Sequence, residues 1–334
     1  MISRSLGRAG PDVSALGLGL MGMSDLYGPA DEAESIATID AALDTGIRLL
    51  DTGDFYGSGH NELLVREALK RRSREDVVIS LKFGVLRDPG GAFIGVDVRP
   101  EATKNFLAYT LRRLDTDYVD IYRPARISPD VPIEETVGAI AETVEAGYVR
   151  HVGLSEVGGD SLRRAHAVHP ISDLQIEYSL ISRGIEAEIL PACRELGVGV
   201  TAYGVLSRGL ISGHWSKERT LGAHDFRSHA PRFSEKNLEN NLELVEALRS
   251  VAEAEGATVA QIAIAWVLSR GEDIVPLVGA RRRERLTEAL GALELELTDD
   301  DLAQIEGAVP ADSVAGERYD ARQMAILDSE RSVR

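Results

Sequence analysis

The chain has 334 residues, 44% of them hydrophobic and 27% charged, with a formal net charge of −17. This is an ordinary globular composition, long enough for two domains or for one barrel of alternating strands and helices. The acidic excess argues against nucleic acid and anionic membranes as partners, because phosphate surfaces reward basic proteins.

No apolar run reaches eighteen residues, so no membrane span is expected. Residues 1–10 lack the apolar core of a secretion signal, and the lone Cys193 has no partner for an internal disulfide. A cytoplasmic protein is the expectation.

Short apolar runs alternate with helix-periodic stretches in chain order. The first run, 16–20, is followed by Ile36, Ile39 and Leu43 on one helical face. Runs 48–50, 77–81 and 118–122 come next. Then Ile133, Val137, Ile140 and Val144 recur at helical spacing. Runs 149–154 and 173–176 precede a second such set, Ile185, Ile189, Ala192 and Leu196. The helix expected over 186–195 makes Cys193 a small buried hydrophobe. Runs 197–202 and 274–278 complete eight, and Gly46, Gly147 and Gly197 stand where helices should stop.

Eight strands, each followed by a helix, close most economically as a (β/α)8 TIM barrel. The expectation is one domain over 1–334, with an N-terminal β-hairpin, a core at about 13–307 and a tail at 308–334. A doubly wound open sheet is the alternative, but it normally carries a Gly-rich turn opening its first helix. Gly17, Gly19 and Gly22 have that spacing, yet the helical pattern begins only near Asp31, so the fingerprint fails in context. The aperiodic stretch 203–233 reads as a lid or binding loop. Two helical stretches, 235–255 and 258–268, precede the last strand, so one helix is extra. The polar tail 310–334 is expected to wrap the surface or to be partly mobile.

Barrel chemistry sits at the carboxyl ends of strands. The second strand runs into DTGDFYG at 51–57 and the third into LKFG at 81–84. Asp51, Tyr56 and Lys82 therefore converge on one mouth from adjacent strands. A carbonyl that receives hydride needs a proton at oxygen, and a phenol holds one at neutral pH. A nearby ammonium makes that proton easier to give, and a carboxylate keeps the ammonium charged. These motifs, with VGLS at 152–155, LQIEY at 174–178 and AYGVLSRGLISG at 202–213, resemble those of the aldo-keto reductases, in order along nearly the whole chain.

The resemblance implies NADPH-dependent reduction of an aldehyde or ketone, with Tyr56 as proton donor, Lys82 as its tuning amine and Asp51 as the lysine's partner. It places Ser155 and Gln175 on the nicotinamide carboxamide, Tyr203 beneath the ring, and Leu206 and Arg208 in a loop over the pyrophosphate. Glu156 stands where the family usually has asparagine beside the nicotinamide. Ala125 replaces the family's catalytic histidine, leaving Arg123 or Arg126 as candidate donors to the substrate oxygen. Ala289 replaces a common adenine contact, while Glu288 matches another.

Gly279-Ala280 and Arg281, Arg282, Arg283 and Arg285 open a helix after the last strand. Cations oppose the helix dipole there, so an anion sharing the site explains them. In the family this segment grips the 2′-phosphate of NADP(H), with Gly279, Arg281, Arg282 and Arg285 as the matching positions. No metal site is expected, because His166 and His169, three apart, have no carboxylate at fitting spacing. The expected partner is a small carbonyl compound, bound by a monomer or a homo-oligomer. Two other readings stay open: a catalytically weak NADP(H) sensor resembling potassium-channel β-subunits, and a sugar-phosphate isomerase or aldolase using Lys82.

Overall fold

The computed structural model describes residues 1–24, 26–222 and 225–331, so His224 of the long loop and residues 332–334 of the tail lie outside the described residues. Strands β1 (Ser3–Ser5) and β2 (Asp12–Ser14) form the expected antiparallel hairpin. It closes the floor of the barrel. Arg8 N–H donates to Gly197 O at 2.8 Å, and Arg4 Nη1 donates to Gly271 O at 3.0 Å.

Strand β3 (Gly17–Gly19) leads to α1 (Glu32–Asp44), which starts where Asp31 accepts a hydrogen bond from Glu34 N–H. Next come β4 (Leu49–Gly53), α2 (His60–Leu69) and β5 (Val78–Phe83). A second hairpin, β6 (Val85–Arg87) with β7 (Phe93–Val96), then precedes α3 (Pro100–Leu114). Strand β8 (Val119–Pro124) is followed by α4 (Ile133–Glu145), β9 (Val149–Ser155), α5 (Gly159–Val168) and β10 (Ile171–Glu177). Helix α6 (Ile189–Leu196) ends at Gly197 and feeds β11 (Gly199–Tyr203). The extra helix is α7 (Glu235–Ala254), and α8 (Val259–Ser269) begins with a Thr258–Gln261 capping box. Last come β12 (Ile274–Gly279), α9 (Arg283–Leu290), α10 (Asp299–Ala308) and α11 (Ala321–Ile326).

The eight strands β10-β11-β12-β3-β4-β5-β8-β9 close into a parallel barrel. Several strands extend one to three residues beyond their apolar runs. Lys82, Arg123, Ser155 and Tyr203 are polar or only partly apolar, yet each continues its strand. Hydropathy misses them because they face the barrel axis rather than the helices.

Alternate residues point inward, which stacks the interior in layers. At the floor, Leu49, Val78, Ile121, Val275 and Leu277 pack with Leu6 and Val13 of the hairpin. One step up lies an ion pair with both side chains fully buried, Arg123 Nη1 to Asp173 Oδ2 at 2.8 Å. Gly153 leaves room for it, since a Cβ there would stand 3.0 Å from Arg123 Cζ. Above that layer lie Asp51, Lys82 and Gln175, at the mouth.

The hairpin of β6 and β7 and the short 3-10 turns at Ser207–Ser212, Phe226–His229 and Pro231–Phe233 carry no periodicity that sequence reading detects. Among the described residues no single helix is long and apolar enough to cross a membrane.

The tail lies along the surface, as its polarity implies, and its path crosses the mouth, where Arg318 bonds Glu156 and Tyr319 bonds Tyr203. Asn241 anchors it. Asn241 Nδ2 donates to Ala315 O at 2.9 Å, and Ala315 N–H donates back to Asn241 Oδ1 at 2.9 Å.

Candidate active site

Asp51 ends up beside Lys82 because β4 and β5 are neighbours, in a register pairing Asp51 with Ser80 and Gly53 with Lys82. Lys82 Nζ donates to Asp51 Oδ1 at 2.6 Å. The other carboxylate oxygen accepts from Ser80 Oγ at 2.9 Å and from Gln175 Nε2 at 2.6 Å. Past β4 the chain folds back on itself. Gly57, Ser58 and Gly59 have φ of 56°, 53° and 98°, a left-handed run that glycine tolerates and serine seldom adopts. This turn brings the Tyr56 ring to 5.2 Å from Lys82 Nζ, with Phe55 edge-on at 4.8 Å. The carboxylate, ammonium and phenol thus meet as their strand positions imply.

Their protonation differs from the expectation in one respect. Burial lowers the Lys82 pKa, and the Asp51 charge offsets that only in part. The Tyr56 phenol lies well above the usual tyrosine range, not below it. Burial leaves only 6% of Tyr56 exposed, and the Asp51 charge adds to the rise. With burial and the Asp51 charge both opposing ionisation, the phenol keeps its proton firmly.

Ala125 is buried beside this group, its N–H bonded to Phe83 O at 2.8 Å. Arg123 is no substitute for a histidine there, since its guanidinium is held below by Asp173, by Ser80 Oγ at 2.9 Å and by Leu154 O at 3.2 Å. Arg126 is half-buried and donates to Ala125 O at 2.6 Å, with no carboxylate within 4.0 Å among the described residues. Its charge favours the ionised form of Tyr56 against the burial that opposes it.

The aldo/keto reductase family model matches residues 15–310. Probable aldo-keto reductase 1 of Glycine max is 43% identical over 315 residues, covering 94% of this chain and 90% of that protein. The chain belongs to the aldo/keto reductase family. Among solved structures, the glycerol dehydrogenase of Gluconobacter oxydans superposes with a TM-score of 0.84 at 26% identity, covering 92% of this chain and 96% of the other. The holo aldo-keto reductase of Bacillus halodurans gives 0.77 at 28% identity, covering 93% and 97%. Membership makes the protein an oxidoreductase of carbonyl chemistry that uses a nicotinamide cofactor.

In this aldo/keto reductase Ser155 and Gln175 are register partners on β9 and β10, both buried at the mouth. Tyr203 ends β11. Leu206 and Arg208 follow in a tight loop, where Arg208 Nη2 meets Glu177 Oε2 at 3.2 Å. The loop's later part packs against the segment after β3, with Phe226 N–H donating to Leu26 O at 2.8 Å. Gly279 ends β12 with open space beside it. Arg281 Nη1 donates to Tyr27 O at 3.0 Å and Nη2 to Pro29 O, and no carboxylate lies within 4.0 Å among the described residues.

The rest of the arginine cluster divides. Arg282 is exposed, and among the described residues Glu284 is its one carboxylate neighbour, at 3.8 Å. Arg283 faces away, bound to Glu34 at 2.9 Å. Arg285 Nη1 and His214 Nε2 both bond Glu288, at 3.0 and 2.9 Å. Two expectations therefore change. The dipole argument does not apply to Arg283, because Glu34 neutralises it. Glu156 is already occupied, accepting from Arg318, Ser329, Tyr203 and the Glu177 N–H. Arg318, Tyr319 and Ser329 were missed because they lie in a polar tail with no motif around them. Only the RY pair at 318–319 could have drawn notice.

Asp54 supplies a pH test of this corner. Burial, reinforced by the Glu62 charge, pushes its carboxyl up to about 8. Between the ordinary carboxylate pKa of about 4 and this value, the folded chain keeps a proton that the unfolded chain has lost. Stability should therefore fall as pH rises through that window and level off above it. Asp54→Asn should remove this component, and its melting temperature relative to wild type should be higher at pH 8 than at pH 4. A constant difference across those pH values would refute the assignment.

Proposed function

We propose that this chain reduces an aldehyde or ketone to an alcohol with NADPH, Tyr56 delivering the proton. The observation that supports this best is the Lys82–Asp51 pair at 2.6 Å beneath the Tyr56 ring, beside Ser155 and Gln175. Bound NADPH would supply the hydride. The chain's residues fit it: Ser155 and Gln175 meet at the mouth, Tyr203 offers a ring, and Arg281 has no carboxylate within 4.0 Å among the described residues.

Each protein group has a separate task in this reading. Asp51 keeps Lys82 oriented, and Lys82 faces the Tyr56 ring. The phenol holds its proton until charge develops on the substrate oxygen, when transfer becomes favourable. Arg126 takes the place the histidine leaves, donating to the substrate's oxygen without giving up a proton. Arg281, with Arg282 and Arg285 nearby, receives the 2′-phosphate, since a guanidinium fork can bind two phosphate oxygens.

The alanine at position 125 also favours a cofactor-binding sensor with weak turnover. Loss of 340 nm absorbance with NADPH and a panel of aldehydes and ketones separates the two readings. Turnover of any carbonyl supports the reductase; tight NADPH binding with no turnover across the panel supports the sensor. On the reductase reading, Arg281→Ala should raise KM for NADPH by about 10- to 100-fold, the worth of a charge-assisted hydrogen bond. KM for NADH should move far less. Equal effects on both cofactors would place the 2′-phosphate elsewhere.

A further inference from the structure

The tail contributes to the mouth of the barrel through one side chain. Arg318 is only 8% exposed, and its guanidinium grips Glu156 with two bonds, Nη2 to Oε2 at 2.6 Å and Nη1 to Oε1 at 2.9 Å. Its Nε donates to Glu330 Oε1 at 2.8 Å. Ser329, beside Glu330, adds a bond from Oγ to Glu156 Oε2 at 2.6 Å. Glu156 Oε1 also accepts from the Tyr203 hydroxyl at 2.7 Å and the Glu177 N–H at 3.1 Å. The neighbouring tail residue, Tyr319, shares a hydrogen bond with Tyr203 Oη at 2.8 Å and lies under Arg208, whose Cζ is 4.5 Å from its ring centroid.

Five donors saturate the Glu156 carboxylate, so it has little left to offer a carboxamide. Burial alone would raise its pKa, but the Arg318 charge and hydrogen bonds reverse this and hold it at about 2. Glu156 also sits at φ 55°, a left-handed conformation unusual for glutamate. A strained, ionised, fully bonded carboxylate serves as a fixed anchor. What it anchors is the hydroxyl of Tyr203 on one side and the tail on the other.

We propose that Arg318 is a positioning residue of the cofactor site: through Glu156 it fixes the Tyr203 ring and docks the tail over the nicotinamide end. This rests on the reading of Tyr203 as the ring beneath the nicotinamide. Releasing the anchor should free the ring and the tail together, so the bound cofactor leaves more readily.

The test uses the full-length chain with Arg318→Lys and with the double variant Arg318→Met/Glu156→Gln. The double change removes both charges and so leaves no lone buried ion. NADPH fluorescence titration should show Kd raised by about tenfold or more in the double variant, as the loss of charged hydrogen bonds implies. Lysine, with one point of attachment, should retain part of the affinity. In steady state, KM for NADPH should rise by a larger factor than kcat falls, a split that general loosening of the fold does not produce. Thermal melts confirm folding; if the double variant fails to fold, the lysine variant alone carries the test. An unchanged or lower Kd in the folded variants overturns this role for Arg318 and leaves the cofactor assignment intact. Wild-type protein that does not bind NADPH overturns both.

Discussion

Tyr56→Phe is expected to lower kcat for carbonyl reduction by about 100- to 10,000-fold, the usual contribution of a positioned acid. NADPH affinity should change little. The phenyl ring preserves the edge contact with Phe55 and the face turned toward Lys82, so the local packing survives and only the hydroxyl is lost. In wild type, the phenol's raised pKa predicts that kcat/KM stays flat on the alkaline side until well above the ordinary tyrosine range. Stopped-flow absorbance at 340 nm measures the chemical step, and NADPH fluorescence measures binding. If the variant lost cofactor affinity in proportion to turnover, Tyr56 would be a packing residue and the proton would come from another group.

Arg123→Met should cost about 3–5 kcal/mol of folding stability, the usual penalty for stranding half of a buried ion pair. Arg123 and Asp173 are both fully enclosed, and after the change Asp173 would retain, among the described residues, only hydroxyl donors, Ser172 Oγ at 2.9 Å and Thr201 Oγ1. Adding Asp173→Leu should restore much of the loss, because the lone charge goes with it. Urea-unfolding midpoints of the single and double variants measure this. A single variant as stable as wild type would show that water reaches Asp173. The same change should also reach the chemistry, since Arg123 Nη2 donates to Ser80 Oγ, and Ser80 donates to Asp51 at 2.9 Å. The buried ionic layer is thus hydrogen-bonded to the layer proposed to do the chemistry.

Both effects depend on alternation along β-strands, where a residue two positions further on faces the same side. Ile121 and Arg123 of β8 illustrate it, one packed on the barrel floor and the next in the ionic layer. Val78, Ser80 and Lys82 of β5 carry the same progression from floor to mouth. Tyr319 follows no such rule, since it reaches Tyr203 from a tail segment 116 residues further along the chain.

The barrel and the Asp51–Tyr56–Lys82 group were legible in the amino-acid order. Strand and helix periods are local, and strand ends in a closed parallel barrel share one rim whatever the connecting loops do. The Arg281 segment was legible for the same reason, as the turn after the last strand. Only the tertiary structure decided that Arg123 belongs to the interior, that Arg283 is neutralised by Glu34, and that Glu156 is bound by Arg318, 162 residues away. Those pairings join side chains far apart in the chain. They depend on barrel closure and on the path of an aperiodic tail, so local spacing holds no record of them.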